Sequence, residues 1–152
     1  MEAFTDLLCR LIAIPSTHSR PEAIHRCADF IVDWLKRRGI RCQRQVQAGV
    51  PTVTALPAPD RVPVLLMSHI DVVEAPEALF KPRLEGGRLY GRGAIDDKYA
   101  VALSMLLMHD HLARLRAAGR GQRDLGFGLM ITGDEEVGGK NGARPALARL
   151  NT

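Results

Sequence analysis

The sequence predicts an α/β three-layer sandwich with a central, mostly parallel mixed sheet flanked by helices. Three observations carry this. Apolar residues recur at helical spacing in separate stretches of the chain, and two short runs, residues 62–68 and 125–132, are almost wholly apolar. Helices before, between and after buried strands can cover both faces of one sheet. At 152 residues and 46% hydrophobic content, the chain can bury one core and is read as a single unit.

The elements follow in order. Phe4, Leu7, Leu8, Leu11 and Ile12 repeat with helical spacing until Ile14-Pro15-Ser16 breaks the pattern, which sets a first helix. Ser19, Pro21 and Glu22 signal the start of a second. Its stripe is Ile24, Cys27, Ala28, Ile31 and Leu35, and Gly39 after Lys36-Arg37-Arg38 marks its end. Alternation at Ile40, Cys42 and Val46, then the run 51–56, predicts two strands. Residues 62–68 read as a central strand covered on both faces, ending at His69. A loop from Glu74 to Gly87 leads to a short strand at 88–90. A long helix with Val101, Leu103, Met105, Leu106, Met108 and Leu112 follows. Residues 125–132 form the last buried strand and run into Gly133-Asp134-Glu135-Glu136.

Composition narrows the function classes. Net charge is +4, but the 21 basic residues are spread along the chain and only 5% of residues are aromatic, so nucleic acid is not an expected partner. No apolar run reaches the length of a membrane span, so no membrane partner is expected either. Cys9, Cys27 and Cys42 are odd in number and lack metal-ligand spacing, which reads as reduced, structural thiols in a cytoplasmic protein. His109 and His111 lie two apart on the long helix, point to different faces and are expected to be structural.

Three clusters remain: Ser68-His69-Ile70-Asp71, Gly91-Arg92-Gly93-Ala94-Ile95-Asp96-Asp97-Lys98 and Thr132-Gly133-Asp134-Glu135-Glu136. Each puts imidazole or carboxylate directly after an apolar segment. These are ligands that zinc-like divalent ions accept, and a carboxylate has two oxygens with which to bridge two ions. Without a cation, Asp96, Asp97, Asp134, Glu135 and Glu136 gathered at one sheet edge would repel each other. A dinucleotide loop at Gly91-Arg92-Gly93 is rejected, because Asp96 stands where the third glycine belongs.

Together with the opening stretch from Leu7 to Ser16, the three clusters resemble the two-metal metallopeptidase and deacylase family of acetylornithine deacetylase, succinyl-diaminopimelate desuccinylase, aminoacylase and the glutamate carboxypeptidases. The resemblance implies a zinc-exopeptidase-like fold, two divalent ions (zinc, with cobalt as a substitute), and hydrolysis of C–N amide bonds in small acylated amino acids or short peptides. It implies that His69 binds one ion and that Asp71 holds its imidazole. Asp96 then bridges both ions, by a carboxylate set beside a cis Asp96–Asp97 peptide bond, and Glu136 binds the second. Glu135 becomes the general base that takes a proton from the attacking water and passes it to the leaving amine. Asp97 and Lys98 stay outside the ligand set. His69, Asp96, Glu135 and Glu136 are expected at the same edge of the sheet.

Members of that family are much longer. They place another acidic ligand and a last histidine ligand beyond these residues, and they insert a smaller lid and dimerisation domain. Residues 1–152 are therefore expected to form the amino-terminal part of the catalytic domain, incomplete, with a homodimer available only to a full-length form. Two of three protein ligands per ion predict weak metal binding and little or no activity in the isolated chain. The competing expectation is a truncated, non-catalytic remnant.

Overall fold

The computed structural model describes residues 4–58 and 62–150. Helix α1 (Phe4–Ile12) buries Leu7, Leu8, Leu11 and Ile12, and α2 (Pro21–Arg37) buries a stripe including Ile24, Cys27, Ile31 and Leu35. Pro21 suits the first turn of α2, where its missing N–H would have no helical partner. Gly39, at φ +69°, ends the helix in the left-handed region. Strands β1 (Gln43–Gln47) and β2 (Val50–Ala55) form a hairpin, followed by β3 (Leu65–His69). A second hairpin, β4 (Arg83–Glu85) with β5 (Arg88–Tyr90), precedes the long helix α3 (Lys98–Ala117). Strand β6 (Gly128–Thr132) and the short helix α4 (Ala143–Ala148) complete the described chain.

The main sheet has the order β1-β2-β6-β3. Val53 pairs with Ile131, and Leu66 with Leu129, so these side chains share a face. Val53, Ala55, Leu129 and Ile131 form one buried cluster with α1, α2 and α3. The opposite face carries Thr52 and Gln45, which lie beside Ala146 and Arg149 of α4. Helices thus flank both sides of a mixed sheet, as the sequence predicts.

Several expectations are corrected. Two of the three pairings in the main sheet are antiparallel, because the β1–β2 hairpin joins β6 antiparallel and only β3 runs parallel to it. Residues 62–68 do not form a central strand. Among the described residues β3 is at the sheet edge and Met67 is 49% exposed, while β6 takes the centre with all five residues buried. An apolar run alone does not say which of two strands is flanked on both sides. Residues 125–127 precede β6: a single 3₁₀ turn, Gln122–Asp124, leads into Leu125, which is buried outside any strand. Ile40 is likewise buried ahead of β1, whereas Val46 faces outward at 49% exposure. The expected loop from Glu74 to Gly87 contains the 3₁₀ turn Glu77–Phe80 and strand β4. His109 meets the Trp34 ring edge-on and His111 stacks on Phe127, the structural roles expected of them. No helix of the described residues is long and apolar enough to cross a membrane.

Candidate metal centre

Parallel pairing of β3 with β6 sets His69 opposite Thr132, so the residues following each strand emerge at one end of the sheet. The N-terminus of α3 arrives at the same end. His69, at the last position of β3, is 7% exposed, and Asp71 is fully buried. Asp96 and Glu135 reach out into solvent, with 70% and 60% of their side chains exposed. Asp96 and Glu135 thus sit on the rim, Asp97 and Glu136 are half-buried, and Asp71 and Asp134 lie beneath.

The His69 ring is held at both nitrogens. Its Nδ1–H donates to the Asp71 carbonyl at 3.0 Å and lies 3.3 Å from Asp71 Oδ1. A carbonyl can only accept, so Nδ1 carries the proton and Nε2 is left to face the rim. There Nε2 is 3.1 Å from Asp96 Oδ1 and 3.6 Å from Glu135 Oε2. Ligand atoms of His69, Asp96 and Glu136 all lie within 4.8 Å of one another. Two ligands on a tetrahedral zinc at about 2.1 Å are roughly 3.4 Å apart, so small rotations of the Asp96 and Glu136 carboxylates would bring neighbouring pairs of these atoms to the separation a bound ion needs. The donor set of one imidazole and two carboxylates fits a divalent cation.

Asp71 is the hub beneath. Oδ1 accepts the Glu135 N–H at 3.1 Å, and Oδ2 accepts the Glu136 N–H at 2.9 Å, so the same carboxylate that steadies His69 also sets the backbone of the Glu-Glu turn. Burial by itself would raise the Asp71 carboxyl. Hydrogen bonds from His69, His18 and Glu136 outweigh it and hold the group below the ordinary carboxylate range. Burial likewise disfavours a charged His69 ring, but the hydrogen bond and charge of Asp71 prevail, and the pKa rises to about 9. Asp97 accepts the His69 backbone N–H at 3.3 Å. Burial pushes its carboxyl upward, with Asp96 and Glu135 adding to the push and His69 opposing it. The crowding of carboxylates expected from the sequence is felt at Asp97. The Asp96–Asp97 peptide bond is cis.

Two residues of the second cluster are structural. Lys98 is fully buried, and its Nζ donates to the carbonyls of Leu11 at 3.0 Å and Ile14 at 2.6 Å, closing the C-terminal end of α1. Gly93 takes φ +86°, and a Cβ there would lie 2.9 Å from Lys98 Cδ and 3.2 Å from Val72 Cγ1. Gly93→Ala is therefore expected to destabilise the fold by about 2 kcal/mol, from overpacking and a disfavoured backbone region. Urea unfolding measures it, and a midpoint equal to that of the parent protein would contradict the close packing.

Sequence reasoning missed His18, Ser16 and Asp134. Ser16 Oγ donates to the Ile70 carbonyl at 2.6 Å, and Asp134 Oδ2 accepts the backbone N–H groups of Asn141 and Gly142 at 2.8 and 2.9 Å, shaping the turn that carries Glu135 and Glu136. Asp134 stands in a recognised cluster, so its acid character was visible while its partner atoms were not. His18 and Ser16 lie in a loop more than fifty residues before their partners, and no local pattern singles them out.

Comparisons with known proteins bear on the family and the fold. A family model described as "Peptidase family M20/M25/M40" matches residues 65–151, more than half of the chain. A probable carboxypeptidase of Arthroderma gypseum is 28% identical over 162 residues, covering 93% of this chain and 33% of the relative. Succinyl-diaminopimelate desuccinylase of Xylella fastidiosa is 31% identical over 156 residues, covering 99% and 39%. An M20 family metallo-carboxypeptidase from Sulfolobus solfataricus superposes with a TM-score of 0.71 at 22% identity, covering 93% and 33%, which establishes the likeness of fold. The chain thus spans about a third of the length of these relatives.

Proposed function

Since the chain belongs to peptidase family M20/M25/M40, we propose that residues 1–152 form the amino-terminal part of the catalytic domain of a two-metal amidohydrolase. The substrates proposed are small acylated amino acids or short peptides. The names of the relatives, a carboxypeptidase and a desuccinylase, support that class of C–N bond. Zinc is the proposed ion, with cobalt as a substitute. The observation that carries the reading is the meeting of His69, Asp96 and Glu136 ligand atoms within 4.8 Å, above an imidazole whose other nitrogen is already fixed.

In this reading His69 Nε2 would hold one ion, Glu136 would hold the other, and Asp96 would serve both. The bound ions would polarise the scissile carbonyl and acidify the attacking water. Asp71 fixes the His69 ring and, through two backbone N–H groups, the turn that aims Glu135 and Glu136. Glu135, close to His69 Nε2 but outside the ligand trio, takes the proton from water and delivers it to the departing amine nitrogen. A reducing compartment suits the free thiols Cys9, Cys27 and Cys42, and the cytoplasm is the proposed location. Dimerisation is proposed for a full-length form alone.

Ligand number favours weak binding by the 152 residues themselves. His69 and Asp96 serve one ion and Asp96 and Glu136 the other, where a catalytic zinc ordinarily keeps three protein ligands. Calorimetric titration is expected to show weak zinc binding, with slow or undetectable hydrolysis of N-acetyl and N-succinyl amino acids. Because the His69 pKa is raised to about 9, its Nε2 carries a proton at neutral pH that the ion must displace. About one proton is therefore released per ion bound at His69, and affinity should strengthen by up to about tenfold per pH unit between pH 6.5 and 9. Titrations in buffers of different ionisation enthalpy count that proton. Tight binding of two ions with robust turnover would overturn the ligand count, and pH-independent affinity would remove His69 from the site.

A further inference from the structure

The loop between α1 and α2 is fastened to the metal-site loop at several points. Lys98 Nζ holds the Ile14 carbonyl, Ser16 Oγ donates to the Ile70 carbonyl at 2.6 Å, and the Val72 N–H donates to the Ser16 carbonyl at 3.1 Å. Farther on, the Ser19 N–H donates to Glu74 Oε1 at 3.2 Å. Between these ties the loop presents His18, whose Nε2 donates to Asp71 Oδ2 at 3.0 Å while 34% of its side chain stays open to solvent. Asp71 Oδ1 faces the Glu135 N–H and His69 Nδ1, and Oδ2 faces the Glu136 N–H and His18 Nε2. Oδ2 therefore has two donors and Oδ1 has the Glu135 N–H, with His69 Nδ1 3.3 Å away, and these contacts on both oxygens fix the carboxylate's last torsion.

We propose that His18 is a positioning residue for the metal centre: it supplies the third hydrogen-bond donor that locks the Asp71 carboxylate, and Asp71 in turn fixes both the His69 ring and the Glu135–Glu136 turn. The inference rests on the reading of His69, Asp96 and Glu136 as metal ligands, and adds to it a residue from a segment that carries no ligand. Without His18, Oδ2 keeps only the Glu136 N–H, and the buried carboxylate can swing away from the plane that serves His69. The effect falls on ligand alignment rather than on the fold, because the loop's ties through Lys98, Ser16 and Val72 do not involve the His18 side chain. Glutamine at this position can carry an N–H to nearly the reach of the imidazole Nε2, so it serves as the conservative replacement.

The test uses the 152-residue chain and its H18A, H18Q and H69A variants, with two readouts: amide hydrogen exchange without metal, and zinc affinity by titration. In H18A the amides of Glu135 and Glu136 should exchange about tenfold faster while those of Leu129 to Ile131 in β6 keep their rates, and the zinc dissociation constant should rise about tenfold. H18Q should recover most of both losses. Parent-like exchange at Glu135 and Glu136 in H18A overturns the proposal. So does an equal acceleration in β6, which would make His18 a residue of general stability, or an H18Q variant as impaired as H18A. H69A separates the two readings. If H69A binds zinc as the parent does, the metal assignment fails, and the exchange rates still decide whether His18 locks Asp71.

Discussion

Glu135→Gln is expected to lower amide hydrolysis about 100-fold or more in any form of the protein that turns over, while leaving zinc binding close to that of the parent. Its carboxylate stands 3.6 Å from His69 Nε2 and 60% exposed, outside the trio whose ligand atoms lie within 4.8 Å of one another. Glutamine keeps the shape and a hydrogen-bonding end but cannot accept a proton at neutral pH. The backbone N–H of residue 135 still reaches Asp71 Oδ1, so the turn should not move. Paired measurements of kcat and bound zinc check this. Turnover within a few-fold of the parent would remove Glu135 as the base, and loss of zinc together with activity would make it a ligand instead.

Lys98→Ala is expected to be the most destabilising single change near the centre, at about 4 kcal/mol. The long stem leaves a cavity of the kind that costs about 2–5 kcal/mol on truncating a buried side chain of similar length. Loss of the ammonium's two hydrogen bonds adds about 1–3 kcal/mol, since each carbonyl keeps one backbone donor, Leu11 the Ile14 N–H at 3.1 Å and Ile14 the Ser16 N–H at 2.8 Å, and relief of the buried ammonium returns part of the total. Burial lowers the Lys98 pKa, against the pull of Cys27 and Asp71, so that relief is real. Lys98→Met separates the two contributions. It keeps the stem, removes only the ammonium's hydrogen bonds to the carbonyls of Leu11 and Ile14, and should cost about 2 kcal/mol. Chemical unfolding gives both values. A Met variant more stable than the parent would show that desolvation of the ammonium outweighs its two hydrogen bonds.

Both predictions use residues from recognised clusters, yet they differ in how much of their role was legible. Glu135 follows a buried strand and lies between two further acids, so its acid character is legible in the sequence, and the role expected of it comes from the family resemblance. Lys98 stays outside the expected ligand set, and nothing local to it shows what its ammonium holds. Only the approach of α1 to α3 shows that its ammonium closes the end of another helix.

By itself the sequence determined helices α1, α2 and α3, the existence of most strands, and the order in which imidazole and carboxylates follow apolar segments. These are short-range properties: periodicity, breakers such as Pro15 and Gly39, and residue type at strand ends. The tertiary structure decided which strand is central, placing β6 inside and β3 at the edge, although both runs are equally apolar in sequence. It also decided that Asp71 serves His69, Glu135, Glu136 and His18 at once. The physical reason is separation along the chain. His18 lies 53 residues before Asp71, and Glu136 lies 65 after it, so their meeting depends on how α1, β3 and β6 pack. No local pattern encodes that packing.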